Sequence, residues 1–219
     1  MLVKNFEQYP ETVVEQEQAG EEAAMQIKHA AFLNDMILLD YRVSAPEAEK
    51  KYMASLWNVS IDGEEIFVGD GPTVIYESGN DYYCAVAVVG LEGLELTQDY
   101  IGKTAGIDFE TMSTTEYNAD SEEFLFEIPI MAWYESKITV VEEEIPDAEE
   151  QAYIESIETN PFFTRIYAEV PESMKIGEYR YVLCTEEGEE CEPCDVFFGR
   201  MKAIWEIFIL NHYQKIQQM

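Results

Sequence analysis

Three cysteines crowd the segment "CTEEGEECEPCD" (184–195), where Cys184, Cys191 and Cys194 follow a C-x6-C-x2-C spacing. A C-x2-C pair can offer two thiolates to one ion, half of a tetrahedral zinc site, with Cys84 or His212 as a fourth ligand. Zinc knuckles normally come in pairs, and this chain has no second C-x2-C. The acids from Glu186 to Asp195 attract cations without selecting zinc over calcium. Free or buried thiols are therefore the favoured reading, and a reducing compartment disfavours a disulfide. Cys184, Cys191 and Cys194 remain weak metal candidates.

The rest of the chemistry is sparse. There are two histidines, His29 and His212. Neither sits in HExxH or another local metal spacing, so structural roles are favoured for both. A Ser-His-Asp or Cys-His arrangement would have to assemble in space, without a nucleophile elbow. The glycines of "GDGPT" (69–73) and "GLEGLE" (90–95) are followed by no GKS or GKT, and their neighbouring acids repel phosphate. They read as turns. "DGEEIFVGDG" (62–71) lacks the ligand order of a calcium loop. Among 45 Asp and Glu, carboxylate pairs arise by chance and single out no glycosidase. The expectation is a protein that is not an enzyme and needs no cofactor and no metal.

The elements that would carry these residues read as α+β in one domain spanning 1–219, with a helical subregion at 1–54. Glu21–Leu39 predicts a helix, with Ala24, Ile27, Ala31, Phe32 and Met36 on one stripe. A short helix is expected at 46–54, starting at Pro46. The middle, 55–198, predicts six to eight strands of a mainly antiparallel sheet. Ser55–Ile61 and Glu64–Val68 flank Asp62-Gly63, a two-residue hairpin signal. Thr73–Glu77 and Tyr82–Gly90 flank "SGND", and the apolar run of the second strand predicts a central position. In 122–128, Phe124, Phe126 and Ile128 alternate with Glu123 and Glu127, and Pro129 predicts an edge or bulge. Further strands are expected at 130–142, 164–170, 179–184 and 195–198. An amphipathic helix is expected at 147–158, with Tyr153, Ile154 and Ile157 on one face and Asp147, Glu155 and Glu158 on the other. Arg200–Gln217, apolar almost all round, predicts a buried C-terminal helix. No apolar targeting segment or membrane-spanning stretch is visible, which predicts a cytoplasmic protein.

Charge is the strongest signal. The formal net charge is -32, yet 47% of residues are hydrophobic and 13% aromatic, which is ample for a core. Residues 52–164 carry 25 acids against Lys103 and Lys137 alone. Self-repulsion of that size destabilises a compact state unless salt or a cationic partner relieves it. Direct binding to nucleic acid is excluded, because repulsion would replace counterion release. An anionic membrane is repelled in the same way.

Duplex DNA carries one negative charge per about 1.7 Å of axis, and a row of carboxylates offers a similar field to a basic groove. Glu123 and Glu127 lie four apart on one strand face, about 13 Å at roughly 3.3 Å per residue. In composition the chain resembles the DNA-mimic inhibitors of phages and mobile elements, which occupy the nucleic-acid channel of restriction enzymes or CRISPR effectors. That resemblance implies anti-restriction or anti-CRISPR inhibition of a basic, nucleic-acid-binding protein. The acids expected to form the surface are Glu123, Glu127, Glu142, Glu143, Glu144, Asp147, Glu149, Glu155 and Glu158. The alternative is a structural or assembly protein, a homodimer formed through Trp205, Phe208 and Leu210 of the last helix.

Overall fold

The structure, a computed structural model, describes residues 3–45, 52–69, 71, 73–114, 121–144, 153–169, 196–201 and 204–210. Among these residues it is built almost wholly of strands. Helix is confined to the short turns Val3–Phe6, Pro10–Thr12 and Gln98–Tyr100. The contacts group into two compact units: residues 6–135, and residues 1–5 with 136–219.

The larger unit holds β1 (Val13–Ala19), β2 (Ala24–Leu33), β3 (Met36–Ser44), β4 (Tyr52–Ile61), β5 (Glu64–Ile66), β6 (Val68–Gly69), β7 (Thr73–Ser78), β8 (Tyr82–Leu91), β9 (Thr104–Ser113), β10 (Glu122–Pro129) and β11 (Trp133–Tyr134). Seven of them form one sheet in the order β1-β2-β3-β8-β6, with β7 also on β8 and the short β11 parallel to β2. The other four form a second sheet, β10-β9-β4-β5. The two sheets share one core, in which Ile27, Leu39, Tyr41, Ile107, Phe109 and Phe126 are almost fully buried. Each such side chain contributes roughly 1.5–3 kcal/mol by leaving water. Along one side, β1 lies by β10: Gln16 donates to the Glu127 carbonyl at 2.7 Å, and Gln18 donates to the Leu125 carbonyl.

The smaller unit holds β12 (Lys137–Glu144), β13 (Tyr153–Thr159), β14 (Phe163–Glu169), β15 (Val196–Met201) and β16 (Ile204–Leu210), paired antiparallel in the order β12-β13-β14-β16-β15. The β13–β14 turn is tied by Asn160, whose Oδ1 accepts from the backbone N–H of Phe162 and Phe163 at 2.9 and 3.0 Å.

The α+β expectation is thus overturned: the fold is nearly all β. Glu21–Leu39 is not a helix but the β2–β3 hairpin around Asn34-Asp35. Its helical spacing has a physical source. The β2–β3 register slips between Ile27 and His29, leaving Lys28 as an extra residue. Residues of the shared core fall at 25, 27, 30 and 32, and the expected stripe mixes the two sheet faces: Ile27 and Phe32 lie in that core, while Ala31 and Met36 are buried outside it. The expected helix at 147–158 is β13 from Tyr153 onward, and the same error recurs. A bulge between Ile154 and Ser156 makes Glu155 the extra residue, so Ile154 and Ile157 lie three apart on a strand. The buried C-terminal helix is β15 and β16. An all-round apolar run suits an interior strand as well as a buried helix, and the β-branched Ile204, Ile207 and Ile209 favour the strand. Of the expected helix at 46–54, Tyr52–Ala54 belong to β4, and 46–51 lie outside the described residues.

The strand expectations in the middle fare better. Asp62 and Gly63 both take positive φ (51° and 81°) in the β4–β5 turn, the conformation a two-residue hairpin requires. β7 and β8 form the second hairpin, and β8 lies inside its sheet. β10 alternates as expected and is an edge strand carrying Pro129 at its end. The expected strand at 179–184 lies outside the described residues.

Candidate functional site

The outward face of the four-stranded sheet gathers acid and exposed apolar surface. Its strands carry Glu64, Glu65, Asp108, Glu110, Glu122, Glu123 and Glu127, and neither lysine nor arginine. Because Phe124, Phe126 and Ile128 point into the core, Glu123, Leu125 and Glu127 must point out. Glu123 is directly opposite Glu110 on β9, and Leu125 is opposite Asp108. Residues so paired have Cβ atoms about 4.5–5.5 Å apart, and like charges in that position repel. Two carboxylates held together with no base between them form a site that a cation stabilises.

The same face carries a tryptophan in an unusual setting. The β4–β9 register slips between Leu56 and Asn58, so Trp57 is the extra residue of a bulge. Bulges re-aim side chains, and Trp57 is 54% exposed. Asn58 beside it donates to Asp108 Oδ2 at 3.0 Å, which fixes that carboxylate in the sheet face. Asp108 Oδ1 is buried with no hydrogen-bond partner, a further acceptor turned away from water. Met53, Met112 and Leu125 are each half-exposed or more, and Met53 is opposite Met112. Trp57, Met53, Met112 and Leu125 thus stand exposed among the acids of this face.

Glu122, at the start of β10, has a different role. Its carboxylate accepts from the backbone N–H groups of Glu21 and Glu22 at 2.5 and 2.8 Å through Oε1, and of Ala23 at 2.9 Å through Oε2. It packs so closely on Gly20 that a Cβ there would collide with it. This acid is consumed in holding the β1–β2 turn.

The other expected surface acids divide. Glu142, Glu143 and Glu144 are exposed at the end of β12, where a bulge gives Glu142 a positive φ of 51°. Glu155 is half-buried on β13. Glu158 leaves the proposed surface altogether. It is 1% exposed and bound by Arg165, whose Nε donates at 2.7 Å and whose second guanidinium nitrogen also contacts the same oxygen. Tyr167 OH donates to it at 3.0 Å. Opposite positions on β13 and β14 bring the pair together. Sequence reading missed this because the two residues lie seven apart across a turn that was assigned to a helix end. Asp147 and Glu149 lie outside the described residues.

The self-association residues also change context. Trp205, Phe208 and Leu210 lie on β16, opposite Ala168, Arg165 and Phe163 of β14. β15 pairs along the other side of β16, so no helix face exists there and both strand edges are occupied. Cys184, Cys191, Cys194 and His212 lie outside the described residues. Among the described residues no group of three or more His, Cys, Asp or Glu is placed to hold a metal. Cys84 is a buried free thiol on β8, with Lys28 Nζ 3.3 Å from its Sγ.

His29 has a partner that sequence reading did not foresee. Its Nδ1 lies 2.8 Å from Asp40 Oδ2, and Tyr76 OH donates to Asp40 Oδ1 at 2.7 Å. Burial first, then the bond to Asp40, pushes the Tyr76 phenol far above its ordinary range, so it acts as a proton donor to the carboxylate. The Phe6 ring stacks on His29 at 5.3 Å. Asp40 has no exposed surface, and both its oxygens are engaged inside the sheet. The network satisfies the buried Asp40 carboxylate, while His29 and Tyr76 are partly exposed. A single acid within the apolar run "MILLDY" (36–41) was the signal available, since an unpaired acid is almost never fully buried.

No protein-family model matches the chain, and no curated protein matches it in sequence. In fold it is similar to a solved structure described as the conserved domain protein from Bacillus anthracis. That likeness has a TM-score of 0.59 at 10% identity, covering 98% of this chain and 77% of the other. It bears on the fold alone. No described helix is long and apolar enough to cross a membrane.

Proposed function

We propose that this chain is a non-catalytic cytoplasmic binding protein. It presents the outward face of its four-stranded sheet to the basic surface of a nucleic-acid-binding protein and blocks that surface by standing in for the nucleic acid. One observation carries the reading: the outward positions of four adjacent strands hold Glu65, Asp108, Glu110, Glu123 and Glu127 and no base, with Glu123 and Glu110 opposite each other. A cationic groove relieves that repulsion, and the net charge of -32 steers its approach. Trp57, Met53, Met112 and Leu125 supply the apolar contact that a coat of acids alone would lack. Association of this kind is fast, weakens with salt and involves no chemistry.

The test is competition. Immobilised protein is exposed to a lysate of its source cells, and retained proteins are eluted first with duplex DNA and then with salt. The reading predicts basic nucleic-acid-binding proteins in the DNA eluate. Retention that DNA leaves untouched, or retention of acidic proteins, contradicts it.

A further inference from the structure

Beside that face, where β3, β4, β7 and β8 converge, lies a pocket of about 300 Å³ whose walls include Tyr52, Met53, Ile75, Asp81, Tyr82 and Tyr83. Its size is at the lower end for binding pockets, suited to one side chain or a small molecule. No lysine or arginine lines it among the described residues. Two of its phenols donate to carboxylates: Tyr52 OH to Glu22 Oε2 at 3.0 Å, and Tyr82 OH to Glu77 Oε1 at 2.7 Å. A phenol that donates to an anion gains electron density in its ring, which strengthens the attraction of the ring face for a cation. Tyr82 already shows this affinity, with the Arg42 guanidinium 4.3 Å from its ring centroid. Tyr83 is held in place by the Ala54 N–H, which donates to its hydroxyl at 2.8 Å, and by edge-on contact with Tyr41. The nearby charges named here are Glu22, Glu77 and Asp81 against Arg42, an excess of negative charge.

We propose that this pocket takes the ammonium or guanidinium tip of a lysine or arginine side chain from the basic partner, held by the Tyr52 and Tyr82 rings and the Asp81 carboxylate. The proposal rests on the docking reading above and deepens it. Met53 belongs to both the pocket wall and the outward face of β4, so an anchored side chain would fix the partner at one end of the face.

The probe is Nα-acetyl-lysine methylamide, compared with its neutral norleucine counterpart, titrated into the full chain and followed by the NMR signals of the Met53 methyl and the tyrosine rings. The lysine compound is expected to shift these signals saturably and to bind about tenfold more tightly than norleucine, the ratio that a cation–π contact plus one carboxylate supports. Asp81→Asn and Tyr82→Leu are each expected to weaken it several-fold, and an unchanged amide spectrum elsewhere shows that the fold is kept. Equal binding of the two compounds, or no loss in both variants, overturns the proposal. Partner binding unaffected by Asp81→Asn and Tyr82→Leu overturns the anchor role even where the docking face itself holds. Lysine binding in a chain that captures no basic protein leaves the pocket a cation site and refutes the docking face instead.

Discussion

Glu158 illustrates why an acid in this chain cannot be assigned to the surface by its type. Its charge is spent on Arg165 in the interior of the smaller unit, where the pair is almost fully desolvated. Removing one member of a buried pair strands the other, at a cost of about 3–5 kcal/mol. Glu158→Ala should destabilise the chain by that amount in urea titration, whereas Glu158→Leu with Arg165→Met should cost much less. Equal losses would show that the pair itself, and not the stranded charge, carries the stability.

The buried phenols make a separate prediction. Burial raises the pKa of Tyr41, Tyr76 and Tyr83, and pushes Tyr134 up to about 12, with the Glu11 carboxylate adding to the effect. An unfolded tyrosine ionises near 10. The folded state thus keeps protons that the unfolded state has lost. Their contribution is complete below about pH 10 and drains away as pH rises through the folded values. Phenolate absorbance should show these tyrosines silent until alkaline unfolding begins. Smooth ionisation of all 14 near pH 10 in a folded chain would refute this.

The β1–β2 turn depends on an acid from another sheet. Three N–H groups of residues 21–23 converge on Glu122, and Gly20 leaves room for it. Gly20→Ala displaces the carboxylate, and Glu122→Ala removes it. Each should cost about 1.5–3 kcal/mol, as for hydrogen bonds to a charged group. The double variant should cost little more than either single one, because both break the same contact. Additive losses would mean that the two act separately.

At this scale the sequence was legible wherever turn chemistry was local and unmistakable. Asp62-Gly63, "SGND" and the alternation of 122–128 all resolve as expected. It misled where a bulge inserted one residue into a strand. Lys28 and Glu155 each convert a two-residue period into a three-residue step. In a short window that step cannot be distinguished from a helix. The proposed docking face was only half visible for the same reason. Glu123 and Glu127 were readable from alternation, but Glu110 and the bulged Trp57 enter only through the register of β9 with its neighbours. The His29–Asp40–Tyr76 network likewise depends on the pairing of β2, β3, β8 and β7.

For the whole molecule, a net charge of -32 resists compaction, and a full apolar core overcomes that resistance. The core therefore allows a surface that would otherwise repel itself to be kept. The structure distributes the acids unevenly. Some, such as Glu122, Glu158 and Asp40, are locked into internal bonds, and others stand exposed on β10 and at the end of β12. On the proposed reading, only the second group is left to attract a partner.

The central claim is that this sheet face is the docking surface, and its most direct test is the affinity for a captured basic partner at two salt concentrations. Glu110→Lys with Glu123→Lys is compared there with Trp57→Ala and with Glu142→Lys in the other unit. The account predicts that the reversed pair slows association and flattens the salt dependence. Trp57→Ala should weaken binding by about 2 kcal/mol, as for a central aromatic anchor. Glu142→Lys should change little. Undiminished affinity in both the reversed pair and Trp57→Ala would contradict it.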